Sequence, residues 1–497
     1  MLSLAFQNVL TINGILLSII GTAAGMVIGA LPGLSAAMGI ALLMPITYSM
    51  NSVSAFIVLC GVYVGAIYGG SITAILLRTP GTPASGATVL DGYEFTKNGE
   101  AGRALGISTV ASSFGGLFSA VTLMFLAPVL AQFALSFTPI EKAALAFFGL
   151  SIVTSMLGKD PIKGSTAALA GMLLSLVGID LINGKARFNL GLSALFGGFE
   201  LVPAMVGLLA MSQVYLSIDT LHAEVKGQHK VKNVFPTWQD LKACAPAILL
   251  SSVIGTIIGI IPGTGGDIAS YVSYNEAKRI SKRKELFGTG IPEGVAAPEA
   301  ANNAVTGGAM IPMMTLGIPG DAATAVMLGA LMLHGLQAGT VFFKNNPEVS
   351  YSIFGSMFLA NIIMVVLGLF CLRLFIKIVS VKKWILNPII IVLCVIGAFC
   401  VNNTFIDVWV MLGFSVIGYA MEKCSVPVSP MVLALILGRM FEGQLRLGVI
   451  MNYGSFGAFF TRPISLAFII IGVLSMAFGL LRPVFAKHQE RKEGAER

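Results

Sequence analysis

Gly25-x-x-x-Gly29-x-x-Pro32-Gly33 and, 230 residues later, Gly255-x-x-x-Gly259-x-x-Pro262-Gly263 place one pattern twice inside long apolar runs. A second pair follows in the same order. Gly69-Gly70 leads to Pro80-Gly81, and Gly307-Gly308 leads to Pro319-Gly320, with the offset now 238 to 239. Two motifs in matched order read as an internal duplication. Proline lacks an N–H and glycine admits left-handed backbone, so each Pro-Gly interrupts its helix. In hydrocarbon the freed backbone groups are tolerated only where protein or a water-filled cavity satisfies them. Paired, interrupted apolar segments in two halves point to a secondary transporter and to its substrate site. The alternative for any one break is a plain kink or a loop at the membrane edge.

Composition places these runs in a membrane. Of 497 residues, 56% are hydrophobic and 11% charged, against about a quarter charged in soluble chains. This excludes disorder, a secreted disulfide scaffold and a cytosolic enzyme. At roughly 20 apolar residues per span, about 11 to 13 transmembrane helices are expected. Continuous runs such as Val9 to Leu31 and Ile353 to Leu372 favour helices over a barrel, whose segments are short and alternating. The fold class is therefore all-α and polytopic. The net charge of +8 sits largely in short loops, as expected for cytoplasmic loops rather than a nucleic-acid surface. The six cysteines contain no Cys-x-x-Cys and read as small hydrophobes. The first charge is Arg78, so the N-terminal run lacks the basic start of a secretory signal and reads as a retained helix.

The polar stretch His222 to Ala245 is the best internal boundary. The expected organisation is a first repeat over 1–221 (broken segments 25–92, scaffold helices 104–217) and a connector over 222–245. A second repeat follows over 246–481 (broken segments 255–342, scaffold helices 351–481), then a basic tail over 482–497. Equivalent loops differ in charge: 278–284 holds five basic residues, whereas Ile46 to Ser54 holds none. That asymmetry suggests inverted repeats, with the Lys97 and 278–284 loops cytoplasmic and the N-terminus outside.

The breaks also define the expected site: Pro32, Gly33 and Ser35; Ser71, Thr79, Pro80, Gly81 and Thr82; Pro262, Gly263, Thr264 and Asp267; Asn302, Asn303 and Thr306; Pro319, Gly320 and Asp321. A helix starting after a break aims its N-terminal N–H groups at the cavity, which suits an anion. Hydroxyl and amide groups hold a carboxylate or coordinate sodium without adding a fixed charge. The competing reading is that Ser and Thr simply line helix contacts. Asp267 and Asp321 are cation-site candidates. Arg78 either pairs with a substrate carboxylate or snorkels to an interface. Glu293 and Glu299 adjoin the basic loop and are expected to pair with it. No P-loop, H-E-x-x-H or G-x-S-x-G is present, so the chain is expected not to be an enzyme and to need no cofactor. An ion gradient, Na+ or H+, or another chain must then supply the energy.

The strings Gly65-Ala-Ile-Tyr-Gly-Gly-Ser71, Pro80-Gly-Thr-Pro83, Phe287-Gly-Thr-Gly290, Glu293-Gly-Val-Ala-Ala-Pro-Glu-Ala-Ala-Asn-Asn303 and Leu316-Gly-Ile-Pro-Gly320 closely resemble the large membrane subunit of bacterial tripartite tricarboxylate transporters, over essentially the whole chain. The resemblance implies a solute:cation symporter of the bacterial inner membrane. It would import organic carboxylates with a small membrane subunit and a periplasmic substrate-binding protein. It also implies elevator-type kinship and, by analogy, a possible homodimer. The competing function is a non-transporting membrane scaffold or receptor.

Overall fold

A computed structural model describes residues 2–31, 33–156, 161–180, 182–189, 191–218, 234–379 and 383–477. Pro32, the first half of the connector (222–233) and the tail over 482–497 lie outside the described residues. The described chain is all-α apart from one two-stranded hairpin, Gly178–Ile179 with Ala186–Arg187. Among the described residues, eight helices are long and apolar enough to cross a membrane. Three shorter apolar helices, Ala36–Thr47, Ala322–Leu333 and Pro463–Ala477, accompany them. The chain is a multi-pass membrane protein.

The outside of the bundle is built for lipid. Along Lys383–Asn402, the exposed residues Ile385, Ile389, Val392 and Ile396 recur every three to four positions. A helix in water would turn this stripe inward; in hydrocarbon it faces out at no cost. Ser52–Leu77, by contrast, is enclosed along nearly its whole length.

Two bodies of helices pack together. Ile12–Ala30 lies against Ser52–Leu77. Trp238–Ile260 and Ala101–Ala134 both lie against Pro292–Leu316, and Pro347–Phe370 closes over Ser52–Leu77 and Ala101–Ala134. The two halves of the sequence thus interleave. The second body gathers Pro139–Met156, Pro161–Ser175, Leu201–Ile218, Lys383–Asn402, Phe405–Lys423 and Ser429–Met451.

The duplicated motifs make duplicated contacts. A Cβ on Gly25 or Gly29 would strike the backbone of Val62 or Ala66; on Gly255 or Gly259 it would strike that of Ala301 or Val305. Small residues allow such close helix approach. Leu31 and Ile261 both end their helices in extended backbone, as a residue preceding proline must, with N–H bonds back to Ile28 and Ile258 at 3.1 and 3.0 Å. Gly33 (φ 93°) and Gly263 (φ 79°) then turn through the left-handed region, which is open to glycine at no steric cost. Ser52–Leu77 and Pro292–Leu316 each end on a left-handed residue, Arg78 (φ 58°) and Gly317 (φ 72°). These partners stand at the offsets read from the sequence, 230 for the first motif and 239 for the second.

Candidate functional site

All four interruptions meet. The Gly263 amide donates to the Gly320 carbonyl at 2.7 Å, and the Gly81 amide to that of Gly70 at 3.2 Å. A Cβ on Gly81 would lie 2.2 Å from the Gly29 carbonyl oxygen, and one on Gly320 would lie 2.5 Å from that of Gly259. Each second break is therefore pressed against the helix that carries the first.

They enclose a cavity of about 590 Å³, lined by residues of every break: Gly33 to Met38, Pro80 to Ala84, Gly263 to Asp267, and Asp321 to Ala323. The opposite wall belongs to the second body. Leu208, Leu209 and Gln213 come from Leu201–Ile218, where Val206–Met211 forms a π-helical stretch. Glu422, Pro427, Val428, Ser429 and Leu433 complete it. π-Bulges recur at functional sites, where they re-aim side chains.

Three helices present their first turns to this space. Ala36–Thr47 starts at Ser35, whose hydroxyl accepts from the Met38 amide at 3.3 Å. Gly265–Ile280 starts at Thr264. Ala322–Leu333 starts at Asp321, whose Oδ1 accepts from the Thr324 amide and hydroxyl, both at 2.8 Å. The other Asp321 oxygen accepts from the Tyr63 hydroxyl at 2.6 Å, which locks the last break to Ser52–Leu77. The first N–H groups of a helix have no intrahelical partner and carry partial positive charge. Among the described residues, the lining holds three carboxyl groups, Asp267, Asp321 and Glu422, and no lysine, arginine or histidine. The helix N-termini bring partial positive charge to this cavity.

Of the residues singled out in the sequence, Gly33, Ser35, Pro80, Gly81, Thr82, Gly263, Thr264, Asp267 and Asp321 line the cavity. Pro262, Pro319 and Gly320 are buried just behind it. Thr79 does not reach it: it is exposed, and its hydroxyl bonds to the Leu77 carbonyl at 3.3 Å, because the left-handed turn at Arg78 sends it outward. Arg78 is likewise exposed, stacked over Tyr93 at 5.8 Å.

Ser71, Asn302, Asn303 and Thr306 lie behind the wall, fully buried. Asn302 Nδ2 donates to the carbonyl of the lining residue Ala84 at 3.3 Å. Ser71 accepts from Ser108 at 2.8 Å, and Thr306 bonds to its own helix at the Asn303 carbonyl. Three side-chain oxygens in this region, Thr82 Oγ1, Asn302 Oδ1 and Asn303 Oδ1, are buried without a hydrogen-bond partner among the described residues.

The glutamates correct an expectation. Glu293 pairs with Arg283 at 2.6 Å, as the basic loop suggests. Glu299 does not join it. Six residues further along Pro292–Leu316, it is fully buried, and its carboxylate accepts from Thr88, Ser112 and Asn302, with the Ser108 hydroxyl 3.3 Å away. Helical spacing held the clue, since Glu299 and Asn302 are three apart and share a face. Asp91 was also missed as a structural anchor. Buried, it accepts from Tyr274 at 2.8 Å and from the amides of Gly288, Gly290 and Ile291. It thereby ties the 89–97 helix to the Phe287-Gly-Thr-Gly290 loop.

Comparisons with known proteins agree with this architecture. The family model "Tripartite tricarboxylate transporter TctA family" matches residues 15–433. An uncharacterized 52.8 kDa protein in the TAR-I ttuC' 3' region of Agrobacterium vitis is 33% identical over 489 residues, covering 98% of this chain and 97% of that one. A second uncharacterized protein, from the TAR-II ttuC' 3' region of the same organism, is 32% identical over 236 residues, covering 48% of this chain and 98% of its own. No solved structure matches. With its family matched over most of its length and a relative aligned nearly end to end, the chain belongs to the tripartite tricarboxylate transporter TctA family, a family of transporter subunits.

Proposed function

We propose that the chain is the substrate-carrying subunit of a secondary active solute:cation symporter that imports organic carboxylates across the bacterial inner membrane. In this reading a small membrane subunit completes the complex and a periplasmic binding protein delivers the substrate. The observation that carries it is the meeting of four paired backbone interruptions around one cavity fronted by three helix N-termini. Free N–H groups and the hydroxyls of Ser35, Thr82 and Thr264 suit a carboxylate. The three acidic side chains in the same lining oppose a bare anion, so the substrate enters together with cations that neutralise them. Charge balance alone thus links uptake to an ion gradient.

The cavity also suits alternating access. One wall is made of the broken segments and the other of Leu201–Ile218, Phe405–Lys423 and the start of Ser429–Met451. A site at the seam between two bodies is exposed or covered when one slides past the other. The apolar residues on the second wall, Leu208, Leu209, Val428 and Leu433, offer a surface with few polar contacts to break. The duplicated contacts support descent of the two halves from one ancestral unit, and the loop charges support their inverted insertion.

The test is uptake into proteoliposomes holding the chain with its membrane partner, driven by imposed sodium or proton gradients in the presence of the binding protein. Uptake indifferent to both gradients refutes symport. Asn302→Ala and Asn303→Ala separate a transporter from a non-transporting scaffold: a scaffold keeps its assembly and loses nothing else, whereas a transporter loses uptake.

A further inference from the structure

Resting on the symport reading, we propose that Glu299 is the centre of a monovalent cation site, occupied by Na+, one layer behind the substrate cavity. Glu299, the eighth residue of Pro292–Leu316, has no exposed surface. Its Oε1 accepts from the Thr88 hydroxyl and from Asn302 Nδ2 at 3.3 Å. Its Oε2 accepts from Ser112 at 3.0 Å and lies 3.3 Å from the Ser108 hydroxyl, whose proton goes to Ser71. All of these groups are neutral, and among the described residues no ion pair reaches this carboxylate. Of the five basic residues within 278–284, the two arginines are engaged elsewhere, Arg283 with Glu293 and Arg279 with Glu276. Neutral donors orient a buried carboxylate without cancelling its charge, and an uncompensated charge at this depth is strongly disfavoured. The site calls for a positive charge from outside the protein's own side chains, a proton or a metal cation.

The chemistry of the surroundings selects the cation. Every group around Glu299 is an oxygen ligand or an amide: the carboxylate, the hydroxyls of Thr88, Ser108 and Ser112, and the Asn302 side chain. No thiol or imidazole is present, so the set suits a hard cation and not a soft one. Asn302 supplies the independent sign. Its Nδ2 donates to two acceptors, the Ala84 carbonyl and Glu299 Oε1, which fixes the orientation of the amide. The remaining Oδ1 is buried and has no donor among the described residues. A fixed, unpartnered acceptor one helical turn from a carboxylate with only neutral donors marks this cluster as the place for a cation.

The same asparagine links this site to the substrate. Ala84 lines the cavity, and Gly266, in the opposite break, packs against Asn302 Cβ. A cation held by Glu299 and Asn302 therefore helps set the position of two breaks that form the substrate wall.

The experiment is thermal unfolding of the purified full chain in detergent, titrated with NaCl against choline chloride at constant ionic strength. Wild type is expected to be stabilised by Na+ in a saturable manner. Glu299→Gln keeps the shape and loses that response. Thr88→Val, which removes one hydroxyl at nearly constant volume, should raise the half-saturating Na+ by about ten-fold or more and keeps the test decisive if the glutamine variant does not fold. Glu293→Gln, altering the carboxylate paired with Arg283, should respond as wild type does. Variants of Glu299 and Thr88 with an unchanged Na+ response, or a wild type with none, overturn the proposal. Saturable Na+ binding lost in these variants, together with uptake that ignores both the sodium and the proton gradient, would sink the symport reading while leaving the site standing.

Discussion

Alanine at Gly81 and at Gly320 tests whether the duplicated breaks are one device used twice. At Gly81 the new methyl carbon would sit 2.2 Å from the Gly29 carbonyl oxygen, 2.7 Å from Thr73 Oγ1 and 2.9 Å from Gly70 Cα. At Gly320 it would sit 2.5 Å from both Ala309 Cα and the Gly259 oxygen, and 2.6 Å from Ala309 Cβ. A carbon–oxygen contact settles at about 3.3 Å or more, so either loop must retreat by roughly 1 Å from packed backbone. Overpacking of this kind costs about 1–3 kcal/mol. If that loss falls on the arrangement in which the breaks meet, apparent substrate affinity drops by about five- to 150-fold.

The matched control is Gly413→Ala, in Phe405–Lys423, where an added methyl meets nothing within 4 Å. It should be neutral or slightly stabilising, because alanine favours a helix interior. Thermal unfolding in detergent and initial uptake rates in proteoliposomes read both effects. The reasoning fails if one of Gly81→Ala and Gly320→Ala is harmless while the other is severe, or if Gly413→Ala is as damaging as either.

Asp91→Ala removes the acceptor for the Tyr274 hydroxyl and three loop amides; unfolding stability should fall by about 2–4 kcal/mol, since Ile291 is buried and the Gly288 amide can turn to water. Limited proteolysis should then cut between Lys284 and Thr289. Tyr63→Phe leaves one Asp321 oxygen without its 2.6 Å donor; a cost of about 1–3 kcal/mol is expected, with weaker substrate binding and unaltered assembly as the pattern to look for. Arg78→Gly should stabilise the protein by about 1 kcal/mol, because a left-handed residue other than glycine is strained and the matched position is Gly317; a drop in midpoint would contradict this. Arg446 and backbone amides hold the Asp180 carboxyl down to about 2. This contact persists above the ordinary carboxyl range and is lost as pH falls from about 4 towards 2. Protease sensitivity of the 178–187 hairpin should rise in that window, and Arg446→Gln should move the rise to higher pH.

The breaks were legible because proline and glycine act locally. Whatever surrounds it, Pro262-Gly263 cannot continue a helix, and the same pair at Gly33, Gly81 and Gly320 announces the same event. Matched offsets then told which breaks correspond, and Gly25, Gly29, Gly255 and Gly259 duly approach equivalent neighbours. Residues around each break were harder, since a turn of one residue decides which way a side chain points. Thr79 and Thr82 flank one Pro-Gly, yet only Thr82 faces the cavity, because Arg78 adopts a left-handed turn that its residue type does not foretell. Gln213 and Glu422, on the far wall, belong to helices with no interruption pattern, and a π-helical stretch cannot be told from an α-helix by periodicity.

Glu299 shows where sequence proximity misleads. It stands six residues after Glu293, and both follow a cluster of five basic side chains within 278–284. A helix rises 1.5 Å per residue, so six residues carry the second carboxyl about 9 Å deeper than the first. Near the aqueous end, Glu293 can be reached by a long arginine, and Arg283 reaches it. At the depth of Glu299 the neighbours are the hydroxyls of Thr88, Ser108 and Ser112, drawn from two other segments that only the tertiary fold brings together. Evolution of a purely structural core would favour an apolar residue at such a point, since a buried ion pair or lone charge rarely stabilises more than well-packed hydrophobic groups. A carboxylate kept without a protein counter-charge, one helical turn from an asparagine that touches the substrate wall, makes sense as the place where an incoming cation exchanges its hydration for the order of the site.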